Sequence, residues 1–247
     1  MKKMMQEFRA PLVVGGDGVQ SPIRKAMGIP CHIDPYENGY MTAVMEMPQN
    51  LEENLHFYVG KGGYVAMMPV SRGRFYIMYL LPKNRVDRIR KEGVDRFKEK
   101  ILSLNPYVRE ILSKPLSALS SWSDFVFMPT FRVCCKRWVA DGCALMGDAA
   151  HAMNPHVAQG RNSAMQDASA LSGVIENCFR WRDFSSSALS DYEKIRRPAV
   201  EALQRTAHEL TWLWESRFTP LIWARERIFR AIDKSQALHD KIMHTVA

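Results

Sequence analysis

The apolar positions of this chain change period along its length. Residues 12–16 form an apolar run closed by Gly15 and Gly16 and read as a strand. Residues 21–27 read as a short helix, with Ser21 at the N-cap, Pro22 in the first helical position and Gly28 as the stop. Residues 40–47 alternate, and 55–59, 64–69 and 75–81 are β-rich runs separated by turns carrying Gly and Arg, a pattern that predicts an antiparallel sheet. Ile89, Val94, Phe97, Ile101 and Leu102 stand at helical spacing within 87–104, interrupted by Gly93, and a second short helix is expected over 106–112. Residues 124–128 and 131–135 read as two strands, and 138–142 as a turn into a buried strand at 143–146. From there to about residue 241 the pattern is helical, with Pro198 and Pro220 as expected boundaries or kinks.

Two of these strand ends carry chemistry. Gly15-Gly16-Asp17-Gly18 follows the first strand and leads into Ser21, Pro22 and Arg24. Gly147-Asp148-Ala149-Ala150-His151 follows Cys143-Ala144-Leu145-Met146 and is succeeded by Pro155, Gln159, Gly160, Arg161 and Asn162, after which Ala164, Ala168, Leu171 and Ile175 recur at helical spacing. Strand, acidic turn, Pro/Gly loop and helix in that order deliver backbone N–H groups and the positive end of a helix dipole to one place, which suits an anionic or electron-rich ligand. A carboxylate at the strand end, Asp148, is placed to accept hydrogen bonds from a ribose or similar diol.

The segment Asp17-Gly18 with Ser21 and Arg24 resembles one motif of the single-component FAD-dependent aromatic hydroxylases, the para-hydroxybenzoate hydroxylase-like flavoprotein monooxygenases. The run from Gly147 to His151, with Pro155, Gln159, Gly160, Asn162, Ala164, Asp167 and Ala168, resembles a second, and Leu189, Tyr192, Arg196, Arg197 and Pro198 resemble the element after it. The resemblance implies an α/β (α+β) fold in which an incomplete FAD-binding Rossmann-like domain, residues 1–30 and 138–180, is interrupted by an antiparallel-sheet substrate domain, 31–137, and followed by C-terminal helices, 181–247. The strands at 12–16 and 143–146 should then lie side by side. The implied cofactor site comprises Asp17, Gly18, Arg24, Gly147, Asp148, Gln159, Gly160 and Asn162, with Pro155 and Gly160 beside the reacting face of the flavin. His151 is expected to pack or hydrogen-bond within its motif.

The implied reaction takes a hydride from NAD(P)H onto FAD, forms a flavin C4a-hydroperoxide with O₂ and hydroxylates a small aromatic or quinone-precursor substrate, the cofactor carrying the chemistry. A halogenase or epoxidase is the related alternative, although no lysine-bearing halogenase motif is present. A catalytically silent remnant or interaction subunit is another, because the family's G-x-G-x-x-G pyrophosphate turn is missing from these residues. On that ground the chain resembles the C-terminal part of such an enzyme, open to a complementing N-terminal segment or to self-association through exposed strand edges. Val157 and Ala158 replace the small residues usual before Gln159; a positive φ at either would store about 1–3 kcal/mol of strain.

Composition narrows the alternatives. The net charge of +8 is spread among acidic residues instead of being clustered with stacking aromatics, so nucleic acid is not the expected partner. The five Cys contain no C-x-x-C pair, and His151 and His156 stand five apart, so no metal is expected; unpaired thiols suit a cytoplasmic location. Trp212, Trp214 and Trp223 with Arg217, Arg225, Arg227 and Arg230 make a basic aromatic tail whose readings are packing on protein or contact with a membrane surface.

Overall fold

The structure, a computed structural model, describes residues 7–48, 51, 54–60, 63–215, 218–235 and 237. By its internal contacts the chain forms two units, Met1–Asp34 with Phe131–Ala247, and Pro35–Thr130. The fold is mixed α and β, as the motif order implies.

In the first unit, β1 (Val13–Gly15) runs parallel to β8 (Cys143–Leu145), with Val13 opposite Cys143 and Gly15 opposite Leu145. The two strands expected to be neighbours are therefore paired across more than a hundred residues. β7 (Val139–Ala140) folds back on β8 as an antiparallel hairpin, and the sheet order is β1-β8-β7. β1 is thus an edge strand, and Val13 and Val14 remain exposed on it. Helix α1 (Pro22–Ala26) follows the first turn: the Ser21 side chain accepts the Arg24 N–H as N-cap, and Gly28 takes a left-handed φ after the last turn.

The helices α5 (Asp148–His151), α6 (Gly160–Trp181), α7 (Ser186–Glu215) and α8 (Thr219–Asp233) complete this unit. Their core gathers around Trp138, whose ring lies 4.6 Å from that of His151 and 5.8 Å from that of Tyr192. Tyr192 donates its hydroxyl to the Leu145 carbonyl, which ties α7 to the buried strand. Pro198, expected at a boundary or a kink, is not a boundary: it sits inside the 30 residues of α7. Proline in a helix interior costs about 3 kcal/mol. Here Arg196 and Arg197 just before it are anchored to buried partners, and Val200 and Gln204 just after it are buried, so tertiary packing holds both halves. Of the basic aromatic tail, Trp223 and Arg227 stack with the guanidinium 4.0 Å from the ring; the side chains of Trp212, Trp214, Arg217, Arg225 and Arg230 lie outside the described residues. No helix among the described residues is long and apolar enough to cross a membrane.

The second unit is built on an antiparallel sheet of order β3-β4-β5-β2-β6: β2 (Cys31–Glu46), β3 (His56–Gly60), β4 (Gly63–Val70), β5 (Arg74–Pro82) and β6 (Val126–Cys135). β2 begins nine residues before the expected start. Its first half, Cys-His-Ile-Asp-Pro-Tyr-Glu-Asn, has no apolar alternation, and its pairing with β5 begins only at Asn38. β6 is one strand where two were expected; it passes through Pro129, which an edge strand tolerates because one side of its ladder needs no donor. The expected helix at 87–104 is two, α2 (Val86–Glu92) and α3 (Val94–Leu102), parted at Gly93, where φ is 97°. With α4 (Pro106–Ser117) they cover one sheet face around Phe97, whose ring is 5.5 Å from that of Tyr79 and 5.4 Å from that of Phe125.

One close approach in this sheet is testable. A Cβ on Gly39 would stand 2.6 Å from the Phe127 ring and 2.7 Å from the Met128 carbonyl oxygen, and backbone cannot yield as a side chain can. Gly39→Ala should therefore destabilise the chain by about 1–3 kcal/mol in chemical denaturation, the usual range for overpacking. A variant as stable as the parent would contradict the close packing of β2 on β6.

Candidate functional site

Ligands of α/β sheets bind beyond the C-terminal ends of adjacent parallel strands. Here both acidic turns leave the same ends of β1 and β8, and the ladder continues into them, the Met146 N–H donating to the Gly15 carbonyl at 2.9 Å. Gly147 then takes φ +57° and ψ −141°, and a Cβ there would lie 3.1 Å from that of Ala164. Both the conformation and the tight approach disfavour a side chain there.

A buried carboxylate fixes this turn from α6. Asp167 has no exposed surface. Its Oδ2 accepts the Gly147 N–H at 3.0 Å and lies 2.6 Å from His151 Nε2, and its Oδ1 accepts Arg196 Nε at 2.9 Å. The Arg196 guanidinium also donates to the Ser163 hydroxyl. Burial pushes the Asp167 carboxyl upward, but the contacts with His151, Gly147 and Arg196 outweigh it and hold it below its ordinary value. His151 thus packs and hydrogen-bonds within its motif as expected.

Asp148 contrasts with this. It is exposed, and no hydrogen bond or ion pair engages its carboxylate among the described residues. Crowding by surrounding protein raises its carboxyl above the ordinary range, with the His151 charge working against that rise. It is a solvent-facing, partly desolvated acceptor without a protein donor.

The loop beyond α5 makes a single 3₁₀ turn at Pro155–Val157, capped by the Asn154 side chain, which accepts the His156 N–H at 3.2 Å. Ala158 takes the left-handed conformation, φ 52°, so the residue flagged for strain adopts it, whereas Val157 does not. Gln159 precedes α6 with no side-chain cap on the helix, and the Asn162 amide donates to the Gln159 side chain. Gly160 opens the helix with an ordinary φ, and an added Cβ would meet nothing within 4 Å. Neither backbone nor neighbours demand glycine there. The first turn of this long helix thus lacks a side-chain cap for its N–H groups.

The first turn is more self-contained. Gly18 is left-handed at φ +82°, and its carbonyl accepts the Ser21 N–H. Asp17 Oδ2 accepts the Ile23 N–H at 3.1 Å; burial works to raise its carboxyl, and hydrogen bonds from Ser21 and Ile23 with the Arg24 charge bring it below its usual value. Arg24 is buried, its guanidinium donating to the Ala149 and Val19 carbonyls, both at 2.6 Å. It braces one acidic turn against the other. Sequence reasoning quoted Asp167 and Arg196 as motif residues but gave neither them nor Ser163 a place among the site residues. Their partnership spans 29 residues between two helices, and no period marks it.

Residues 2–207 match the FAD binding domain family. The chain is 29% identical to 6-methylpretetramide 4-monooxygenase of Streptomyces rimosus over 198 residues, covering 80% of this chain and 46% of the relative. It is 26% identical to a salicylate hydroxylase of Pseudomonas putida, covering 90% of this chain and 55% of the relative. The chain thus spans about half the length of these relatives. Among solved structures, Klebsiella pneumoniae HpxO complexed with FAD and uric acid superposes with a TM-score of 0.75 at 24% identity, over 95% of this chain and 58% of that one.

The Asp167 cluster makes a measurable claim. Removing one member of a buried ion pair typically costs about 3–5 kcal/mol, so Asp167→Ala should lose that order of unfolding free energy. Because the Asp167 carboxyl is held below its ordinary value of 3.8, its contribution is complete above that value and disappears as the pH falls through the depressed one. Urea titrations across the acid range should show that limb in the parent chain and its flattening in Asp167→Asn. A variant with the parent's stability and acid limb would remove Asp167 as the anchor of the turn.

Proposed function

This chain belongs to the FAD binding domain family, and from that premise we propose that it forms the flavin-ring and substrate portion of an FAD-dependent monooxygenase that hydroxylates a small aromatic compound with O₂ and electrons from NADH or NADPH. The observation that carries the reading is the start of α6: an uncapped helix N-terminus beside a glycine that the folded chain does not itself require. Such a cradle fits a planar, electron-accepting ring that gains negative charge on reduction. Asp148, an acceptor without a protein donor, fits the hydroxyls of the ribityl or ribose moiety. The donor set of the site therefore suits FAD.

In this reading Gly160, Gln159 and Asn162 line the ring, and Pro155 shapes the loop at its reacting face. Gly147 and Asp148 hold the sugar side, and Asp17 and Gly18 form the adjoining turn. Arg24 acts as a positioning residue, since its donors are already committed to the two turns. FAD, when bound, supplies hydride acceptance and oxygen activation. The chain's own part is to orient the ring, keep water away and stabilise charge through fixed N–H dipoles. The two relatives are named for 6-methylpretetramide and salicylate, which points to phenolic compounds as the substrate class.

Flavin titration of the full chain tests this, read by fluorescence quenching alongside thermal melts without flavin. Asp148→Ala should weaken FAD by about 1.5–3 kcal/mol, the range for a lost charged hydrogen bond, without lowering the melting temperature. Gly160→Ala should weaken FAD at least about tenfold while the ligand-free chain gains up to about 0.5–1 kcal/mol, because alanine is the better helix residue. Unchanged FAD affinity in folded variants at both positions would defeat the assignment.

A further inference from the structure

A cavity of about 190 Å³ opens within the first unit. Arg132 and Cys134, in the end of β6 that belongs to the first unit, His151 of α5, and Arg197, Glu201 and Arg205 of α7 line it, so three guanidinium groups face one carboxylate. Two of these charges are accounted for. Arg197 pairs with Glu201 at 3.2 Å and spends its other donors on Glu193 and on the Cys135 and Lys136 carbonyls. His151 is committed to Asp167. Gln204, also in the lining, is committed to the Val133 and Ala152 carbonyls.

Arg132 and Arg205 remain. Arg132 touches the Cys134 side chain, but its Nε is buried with no hydrogen-bond partner, which is rare because a buried donor without an acceptor is costly. Arg205 makes no hydrogen bond or ion pair among the described residues. A guanidinium fork matches the paired oxygens of a carboxylate or phosphate better than any other ligand. The volume lies below the roughly 300–1,000 Å³ of pockets that take drug-sized molecules, so the occupant is a small ion and not a nucleotide.

We propose that Arg132 and Arg205 form a binding site for a small oxyanion, of phosphate or carboxylate type, in this cavity. The site is independent of the flavin reading, and its test needs no flavin. The full chain is titrated calorimetrically with inorganic phosphate and, separately, with acetate, against chloride at matched ionic strength. Saturable binding of at least one oxyanion is expected, with a rise in melting temperature by mass action. Arg132→Gln and Arg205→Gln should each weaken it by about tenfold, as loss of a charge-assisted pair does. Arg109→Gln, on an exposed arginine of α4, should leave it unchanged. Occupancy should also slow alkylation of Cys134, followed by peptide mass spectrometry. Absence of saturable binding beyond chloride, binding that survives Arg205→Gln undiminished, or Cys134 alkylation indifferent to the anion would each overturn the proposal. Arg205 is exposed, so that variant decides the matter even if Arg132→Gln fails to fold.

Discussion

A carboxylate with no exposed surface has to be compensated on every side, and the first unit is organised around that requirement at Asp167. One oxygen serves the Gly147 N–H and the His151 ring, the other the Arg196 guanidinium. Through these contacts a residue of α6 sets the turn after β8, the short helix α5 and the register of α7. Arg24 works from the opposite side, spending its buried charge on two carbonyls so that the turns after β1 and β8 are fixed to each other. Neither group is left to meet a ligand; together they hold still the groups that are.

The site therefore has two chemical layers. Beneath the turns nearly every polar group is satisfied by protein. At the outer layer the opposite holds: Asp148 lacks a protein donor and the start of α6 lacks a side-chain cap. Asp148 is exposed, so water can meet it until another donor takes that place. The cavity between β6 and α7 repeats the pattern with the sign reversed, its unmet groups being donors.

Much of this was legible in the sequence, for reasons that differ by element. The Ser21 cap and the antiparallel order of β3, β4 and β5 follow from short-range patterns, a capping residue before proline and β-rich runs between turns, whereas the pairing of β1 with β8 was an implication of the family resemblance and of no local pattern. The stretch from Gly147 to Asn162 was legible as an acidic turn after a strand and a Pro/Gly loop leading into a helix, and the elements follow in that order. The early half of β2 was not, because Cys31 to Asn38 carry no run of apolar alternation of their own. Pro129 misled for a related reason: propensity describes an isolated segment, and an open sheet edge overrides it. The buried roles of Arg24 and Arg196 were hidden because charged residues are ordinarily read as surface.

The left-handed backbone at Ala158 bears on how this loop meets a ligand. An alanine has no intrinsic reason to adopt that conformation, so a peptide spanning 154–160 would spread over other conformers. The loop keeps its shape because Asn154 caps the turn before it and α6 begins immediately after it. Its ordering entropy is met when the unit folds and not when a ligand arrives. The loop is thus preorganised: a ligand docking against Pro155 and Gly160 finds the surface already formed and can put its binding energy into contacts instead of into arranging the chain.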